Sequence, residues 1–242
     1  MLLDRLRYEA RILGKWAFLT PFLVMSVLSA FLVLLKFMLR WVVALRFSQM
    51  ATAGLEMLVP LAMGIVIATL ISTDPAMELQ LTLKKSFRMT ALSRLVLVLA
   101  WAALVELVSW CLAFALNLWR VPLQLSGWSG LGLALSGQLT WLSPLLFLAG
   151  LGLCLSLLIR SRAASVALLG GLWLLELLAY GIFITYGWLH PLFLFPTTQR
   201  PDIQFWFSNR FELLGLALLL FILGWWLLRN SELLLQTTKS GE

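Results

Sequence analysis

Apolar residues in this chain gather into six long runs, at about 17–35, 52–73, 95–116, 138–159, 163–189 and 211–228. A helix that crosses a bilayer needs roughly 20 consecutive, mostly apolar residues, and each run comes close to or exceeds that length. The fifth is long enough to tilt, or to end in an interfacial turn near Trp188. Polar residues are confined to short intervals, and the longest of these, about 190–210, is too short to hold a folded soluble domain. Ahead of the first run, Leu3, Leu6, Ala10, Leu13 and Ala17 fall on one helical stripe, with Asp4, Arg7, Arg11 and Lys15 on the other face. This predicts an amphipathic helix over 1–16 lying in the headgroup plane, either as a simple anchor or as a lead into the first span. The pattern as a whole predicts an all-α integral membrane protein with six transmembrane helices.

Composition narrows this further. Of 242 residues, 62% are hydrophobic and 12% charged, against about 45–50% and 25% in soluble domains. The mean hydropathy is +0.96. Disordered, collagen-like and disulfide-rich secreted classes are excluded. The net charge of +7 could suggest nucleic acid, but the cations sit at the ends of apolar runs, where lipid headgroups and topology account for them. Alternate intervals hold twelve Lys and Arg against six, which predicts a multi-pass protein of the cell membrane with both termini cytoplasmic. Lys36 and Arg40 follow the first run without a small-residue cleavage pattern, so no cleavable signal peptide is expected. Cys111 and Cys154 both lie inside apolar runs and show neither metal spacing nor a disulfide framework.

Two intervals stand out. Asp74 followed by Pro75 reads as a helix start, a capping carboxylate before a residue with fixed φ and no N–H. The helix expected over 75–92 places Leu79, Leu83 and Phe87 four residues apart, flanked by Lys84, Lys85 and Arg88. Such a helix is either a docking surface for a soluble partner or an interfacial helix whose cations meet phospholipid. The interval 188–210 is rich in aromatic residues and broken by Pro191, Pro196 and Pro201. Its PLFLF stretch is too short to span but apolar enough to enter the membrane, so one or two short re-entrant or interfacial helices are expected before the last span.

Three carboxylates interrupt the runs, Glu56, Glu106 and Glu176, while Glu212 stands at the start of the sixth and is expected at the interface. Carboxylates near a span centre are costly and usually functional. Glu106 shares a helix face with Ser109 and Trp110, and Glu176 with Trp173 and Tyr180. No lysine or arginine within the spans is placed to neutralise Glu106 or Glu176. The two either line a substrate or proton path, together with Trp110 and Tyr180, or make structural hydrogen bonds between helices.

Chemistry-bearing motifs are few. Gly127–Trp128–Ser129–Gly130 matches the GxSG of rhomboid proteases, and His190 is expected on the same side as Ser129. However, the accompanying Trp-Arg loop and the second-span histidine and asparagine of those proteases are absent. The chain also lacks a phosphate-cradling GxxxxGK[ST], an HExxH and a dinucleotide fingerprint. No catalytic or metal-binding residue is therefore assigned, and any ATP hydrolysis belongs to another polypeptide.

The order of these elements resembles the transmembrane permeases of the ATP-binding-cassette (ABC) type-2 transporters. The residues that carry the likeness are Thr73–Asp74, Glu78–Leu79 and the basic stretch on to Arg94. The chain departs from the family pattern in having no glycine after Asp74 and no proline after Leu83. The resemblance implies a homodimer or heterodimer of permease subunits embedded in membrane lipid, with no nucleic acid partner. It also implies cytoplasmic ABC ATPase subunits that bind ATP and Mg. Asp74, Glu78, Leu79, Leu83, Lys84 and Arg88 would couple the chain to that ATPase, and the dimer would export a hydrophobic or amphiphilic substrate. The alternatives are a proton-coupled secondary transporter using Glu106 and Glu176, and a non-catalytic membrane scaffold.

Overall fold

The computed structural model describes residues 15–31, 34, 44–72, 87–159 and 161–229, and these are helices and the turns that join them, with no strand among them. In chain order they form α1 (Lys15–Phe31), then α2 (Ala44–Ala53) and α3 (Val59–Ser72), which run on through one π-helical turn (Gly54–Leu58). Next come α4 (Phe87–Ala115), α5 (Gly130–Gly137), α6 (Leu139–Ile159) and α7 (Arg162–Thr185). The four-residue α8 (Pro196–Gln199) and the long α9 (Trp206–Arg229) complete the set, with 3-10 turns at Leu123–Leu125 and Gly187–Leu192.

Five helical stretches are long and apolar enough to cross a membrane: Phe47–Leu70, Met89–Ala115, Gly130–Ile159, Arg162–Thr185 and Trp206–Arg229. This is the build of a helical membrane protein. The outward faces agree, since Leu131, Leu178, Leu218, Leu219 and Trp226 are all exposed. A soluble monomer rarely shows so much contiguous apolar surface. The first expected span, 17–35, is described only through Phe31 and at Leu34, and the expected helix at 1–16 lies outside the described residues except for its last two.

Several helices begin earlier than their apolar runs. The second starts at Ala44 rather than 52, the third at Phe87 rather than 95, and the last at Trp206 rather than 211. Their polar first turns continue the helix beyond the apolar stretch. The third ends where Asn117 takes a left-handed φ of 54°. There the Leu118 N–H turns back to the Ala113 carbonyl at 2.7 Å, a common helix stop. The fifth kinks at Ala179 and ends at Thr185, short of the expected 189, with the Gly187–Leu192 turn following.

At the centre lies α6, the most buried of the spanning helices, packed mainly against α3 and α9. Glycines make this possible. A Cβ on Gly152 would fall on the carbonyl oxygen of Gly64, and one on Gly64 would lie 3.0 Å from the Leu148 carbonyl oxygen. On the other side, a Cβ on Gly150 would meet Leu220, and one on Gly224 would meet Leu153. Lipid tails are as apolar as leucine, so helices in a bilayer associate through close backbone approach and interhelical hydrogen bonds. One such bond runs from the Cys154 thiol to the Leu220 carbonyl, at 3.1 Å. α1 lies against α4, where the Trp101 indole N–H donates to the Phe18 carbonyl at 2.8 Å.

Candidate functional site

The π turn in the second helix has a local cause. Pro60 lacks an N–H, and its ring crowds the carbonyl four residues back, that of Glu56. The helix answers by widening, so that the Val59 N–H reaches the Gly54 carbonyl five residues earlier. Single π turns of this kind recur at functional sites. Here the turn carries Glu56, whose side chain is fully buried.

Glu56 meets Arg210, from the first turns of α9, in an ion pair in which neither side chain is exposed. The chain between α7 and α9 passes over this pair. Pro191, Pro196 and Pro201 stop it from forming a long helix, and Phe193, Leu194 and Phe195 are wholly buried within the bundle. Its backbone polar groups therefore need partners other than water. Glu56 accepts the N–H groups of Thr197 and Thr198 at 3.0 and 2.6 Å. Arg210 donates to the Leu194 carbonyl at 3.1 Å and to Thr197 Oγ1 at 3.2 Å. Glu176 Oε2 accepts the Leu194 N–H at 2.8 Å. The Trp206 indole donates to Thr197 Oγ1 at 2.8 Å, and Asn209 Nδ2 donates to the His190 and Phe193 carbonyls at 2.6 and 2.9 Å. Gln49 and Arg120 both donate to the Thr198 carbonyl at 3.2 Å. Residues 193–198 are thus fastened at once to α2, the π turn, α7 and α9.

This corrects one sequence expectation. Arg210 is one of the six Lys and Arg counted on the external side, where a cation is expected at the headgroups, but it is buried inside the bundle as the partner of Glu56. The sign of the missed relationship was compositional, one acid and one base interrupting or edging separate apolar runs. Nothing in their spacing brings residues 154 positions apart together.

The four expected path residues fall in two places. Glu176 and Tyr180 are both on α7 beside the fastened segment. Glu176 Oε1 takes no hydrogen bond from the described residues, and Tyr180 is half-exposed next to the Ala179 kink. Trp173, one turn earlier, donates to the Met57 carbonyl of the π turn at 3.1 Å. Glu106 and Trp110 are both on α4. Glu106 is fully buried, and neither carboxyl oxygen has a hydrogen-bond partner among the described residues. Trp110 stacks on Phe114 and meets Trp119 edge-on at a centroid distance of 5.3 Å, and its ring lies where a Cβ on Gly137 would fall. Glu212 is exposed.

Asp74, Glu78, Leu79, Leu83 and Lys84 lie outside the described residues, as does most of the expected 75–92 helix, while Arg88 falls in the first turn of α4. His190 Nε2 lies 3.1 Å from the Ile184 carbonyl, and its ring stacks on Phe205 at 3.7 Å. Among the described residues no three His, Cys, Asp or Glu converge as a metal site.

A groove of about 630 Å³ opens beside the fastened segment, between α2, α7 and α8. Gln49, Tyr180, Thr198 and Gln199 line it, together with the apolar side chains of Met50, Met57 and Leu177. Thr198 Oγ1 and Gln199 Oε1 are enclosed in the protein rather than open to it, without a hydrogen-bond partner among the described residues. The described residues present a fixed segment, a groove of mixed lining beside it and a buried carboxyl on α4. Compared with known proteins, the chain matches no family model, no curated protein and no solved structure.

Proposed function

We propose that this chain is the transmembrane subunit of an ATP-driven exporter of the ABC type-2 kind. In this reading it crosses the cell membrane six times with both termini in the cytoplasm, the first crossing starting in α1. The observation that carries the reading is the segment between the fifth and sixth spans, a short helical element fastened by buried charges rather than a loop. A machine that must hold one face shut between turnovers needs such a device. In this reading ATP and Mg belong to a partner ATPase, which accords with a sequence that carries no nucleotide-binding motif. The 75–92 region is its contact, through Asp74, Glu78, Leu79, Leu83, Lys84 and Arg88. A second permease subunit completes the path for a hydrophobic or amphiphilic substrate. ATP-driven closure of the ATPases pushes the 75–92 region, shifts α3 against α9 and loosens residues 193–198.

The test is gentle purification from the native membrane, identification of what accompanies the chain, and an ATP hydrolysis assay. A stoichiometric ATPase that is lost when prolines are placed in 75–92 supports the reading. A clean chain without ATPase, under mild detergent and crosslinking, overturns it. One observation favours a second reading, a proton-coupled carrier: the Glu106 carboxyl is buried with both oxygens unbonded, as a proton-binding group in a membrane would be. In that case transport collapses with the proton gradient and needs no ATPase.

A further inference from the structure

Two polar atoms beside the Glu56–Arg210 pair take no part in it. Arg210 Nε is enclosed without a hydrogen-bond partner among the described residues, and so is Glu176 Oε1. One is a donor and the other an acceptor, and their side chains already meet at one residue. Glu176 Oε2 accepts the Leu194 N–H at 2.8 Å, and Arg210 Nη1 donates to the Leu194 carbonyl at 3.1 Å. The nitrogen and oxygen of a single residue are only about 3 Å apart, so the second carboxyl stands within a side-chain movement of the guanidinium. Glu56 and Glu176 are the carboxyls whose charge acts on Arg210. The other described carboxyls are placed elsewhere: Asp202 faces Arg200, Glu212 is exposed and Glu106 is buried on α4.

Buried polar atoms without partners are uncommon and call for explanation. A cation inside a bilayer is tolerated beside a counter-charge. In the fastened state Glu56 supplies that charge, and it also accepts the N–H groups of Thr197 and Thr198. Arg210 in turn holds Thr197 Oγ1. Residues 197 and 198 can therefore leave the π turn only if the guanidinium lets go as well, and it then needs another carboxylate. We infer that Glu176 is a second seat for Arg210, taken when residues 197 and 198 come away from Glu56. In that state Glu176 still grips the Leu194 N–H while Thr197 and Thr198 are free. The segment opens at one end only, and no buried cation is left bare. As a step in transport this rests on the exporter reading; as an exchange of partners it does not.

The experiment uses the full chain in phosphatidylcholine nanodiscs, without ATPase or ATP. Glu56→Gln, Glu176→Gln and the double variant are compared with the parent by thermal unfolding and by amide hydrogen exchange read residue by residue. In Glu56→Gln, Arg210 is expected to take Glu176. The Thr197 and Thr198 amides should then exchange about tenfold faster, the loss of a charge-assisted hydrogen bond, while the Leu194 amide keeps its parental rate. Glu176→Gln alone should lower the midpoint little, because an amide oxygen still accepts the Leu194 N–H. The double variant leaves the guanidinium without a carboxylate, so its midpoint should fall by more than the two single losses together. A double variant that fails to fold, where both single variants fold, is the same synergy at its limit. Equal rises at Leu194, Thr197 and Thr198 in Glu56→Gln overturn the inference, as does a Glu56→Gln chain that no longer folds. Additive midpoint losses overturn it too. The exporter reading fails separately, in the co-purification experiment.

Discussion

The Glu56 carboxylate and the Arg210 guanidinium, from helices two and six of the proposed order, meet with neither side chain exposed. Breaking a buried pair by removing one partner strands a charge, at a cost of about 3–5 kcal/mol. Arg210→Met is expected to lower the thermal midpoint in detergent sharply. Arg210→Lys should fall between the two, since a point charge cannot serve the carboxylate, the Leu194 carbonyl and Thr197 together. Adding Glu56→Gln to Arg210→Met should cost far less than its effect alone. Additive losses in that cycle would show that the two residues do not act as a pair.

Residues 193–198 owe their place to side chains from elsewhere in the chain. Asn209→Ala removes donors from the His190 and Phe193 carbonyls, at about 1–3 kcal/mol. Hydrogen exchange should rise at the amides of 193–198 and stay unchanged in the middle of α6. Exchange that rises evenly across the protein would mean general unfolding rather than release of the segment.

Glu106 behaves oppositely to Glu56. Its carboxyl is enclosed without a partner among the described residues, a burden of about 1–3 kcal/mol. Glu106→Leu should therefore raise the thermal midpoint, and Glu106→Gln should leave it close to the parent. If the chain is a proton-coupled carrier, Glu106→Gln abolishes transport in a well-folded protein. A large drop in the midpoint of Glu106→Leu would count against this account of the site.

Glycine at the crossing of α3 and α6 is a packing requirement. Gly152→Ala sets a methyl against the Gly64 carbonyl, a backbone atom that yields only if the helices separate. The expected loss is about 1–3 kcal/mol. Gly170→Ala and Gly171→Ala meet nothing within 4 Å and should be neutral or slightly stabilising through helix propensity. Comparing their unfolding midpoints separates packing from propensity, because all three positions are helical.

The apolar runs were readable from sequence because hydrocarbon thickness imposes a length that few other structures need. The starts of the helices were not. Ser48 and Gln49 interrupt the apolar pattern although the helix continues through them, since polar first turns find hydrogen-bond partners beyond the apolar stretch. The carboxylates at depth were legible as unusual, but their roles were not. Glu56 and Glu176 differ from Glu106 only in what the chain brings to them more than a hundred residues later, or from the next segment along. Arg210 was hidden for a related reason: at the edge of an apolar run, an arginine that snorkels to headgroups and one that points inward look the same. The groove draws on three separate stretches of the chain and left no local pattern to read.

The π turn at Gly54–Leu58 sets the rotational phase of the helix on its N-terminal side. An α-helix advances about 100° per residue, so the wider turn holds Ala44–Ala53 about one residue's rotation out of step with Val59–Ser72. That offset is what aims Gln49 at the Thr198 carbonyl and Thr52 Oγ1 at the Arg120 N–H, while α3 keeps Gly64 against α6. Deleting one residue between Gly54 and Leu58 would therefore act like turning a key. The hydrophobic length would hardly change, yet the face that α2 presents to residues 193–199 would swing away as a unit.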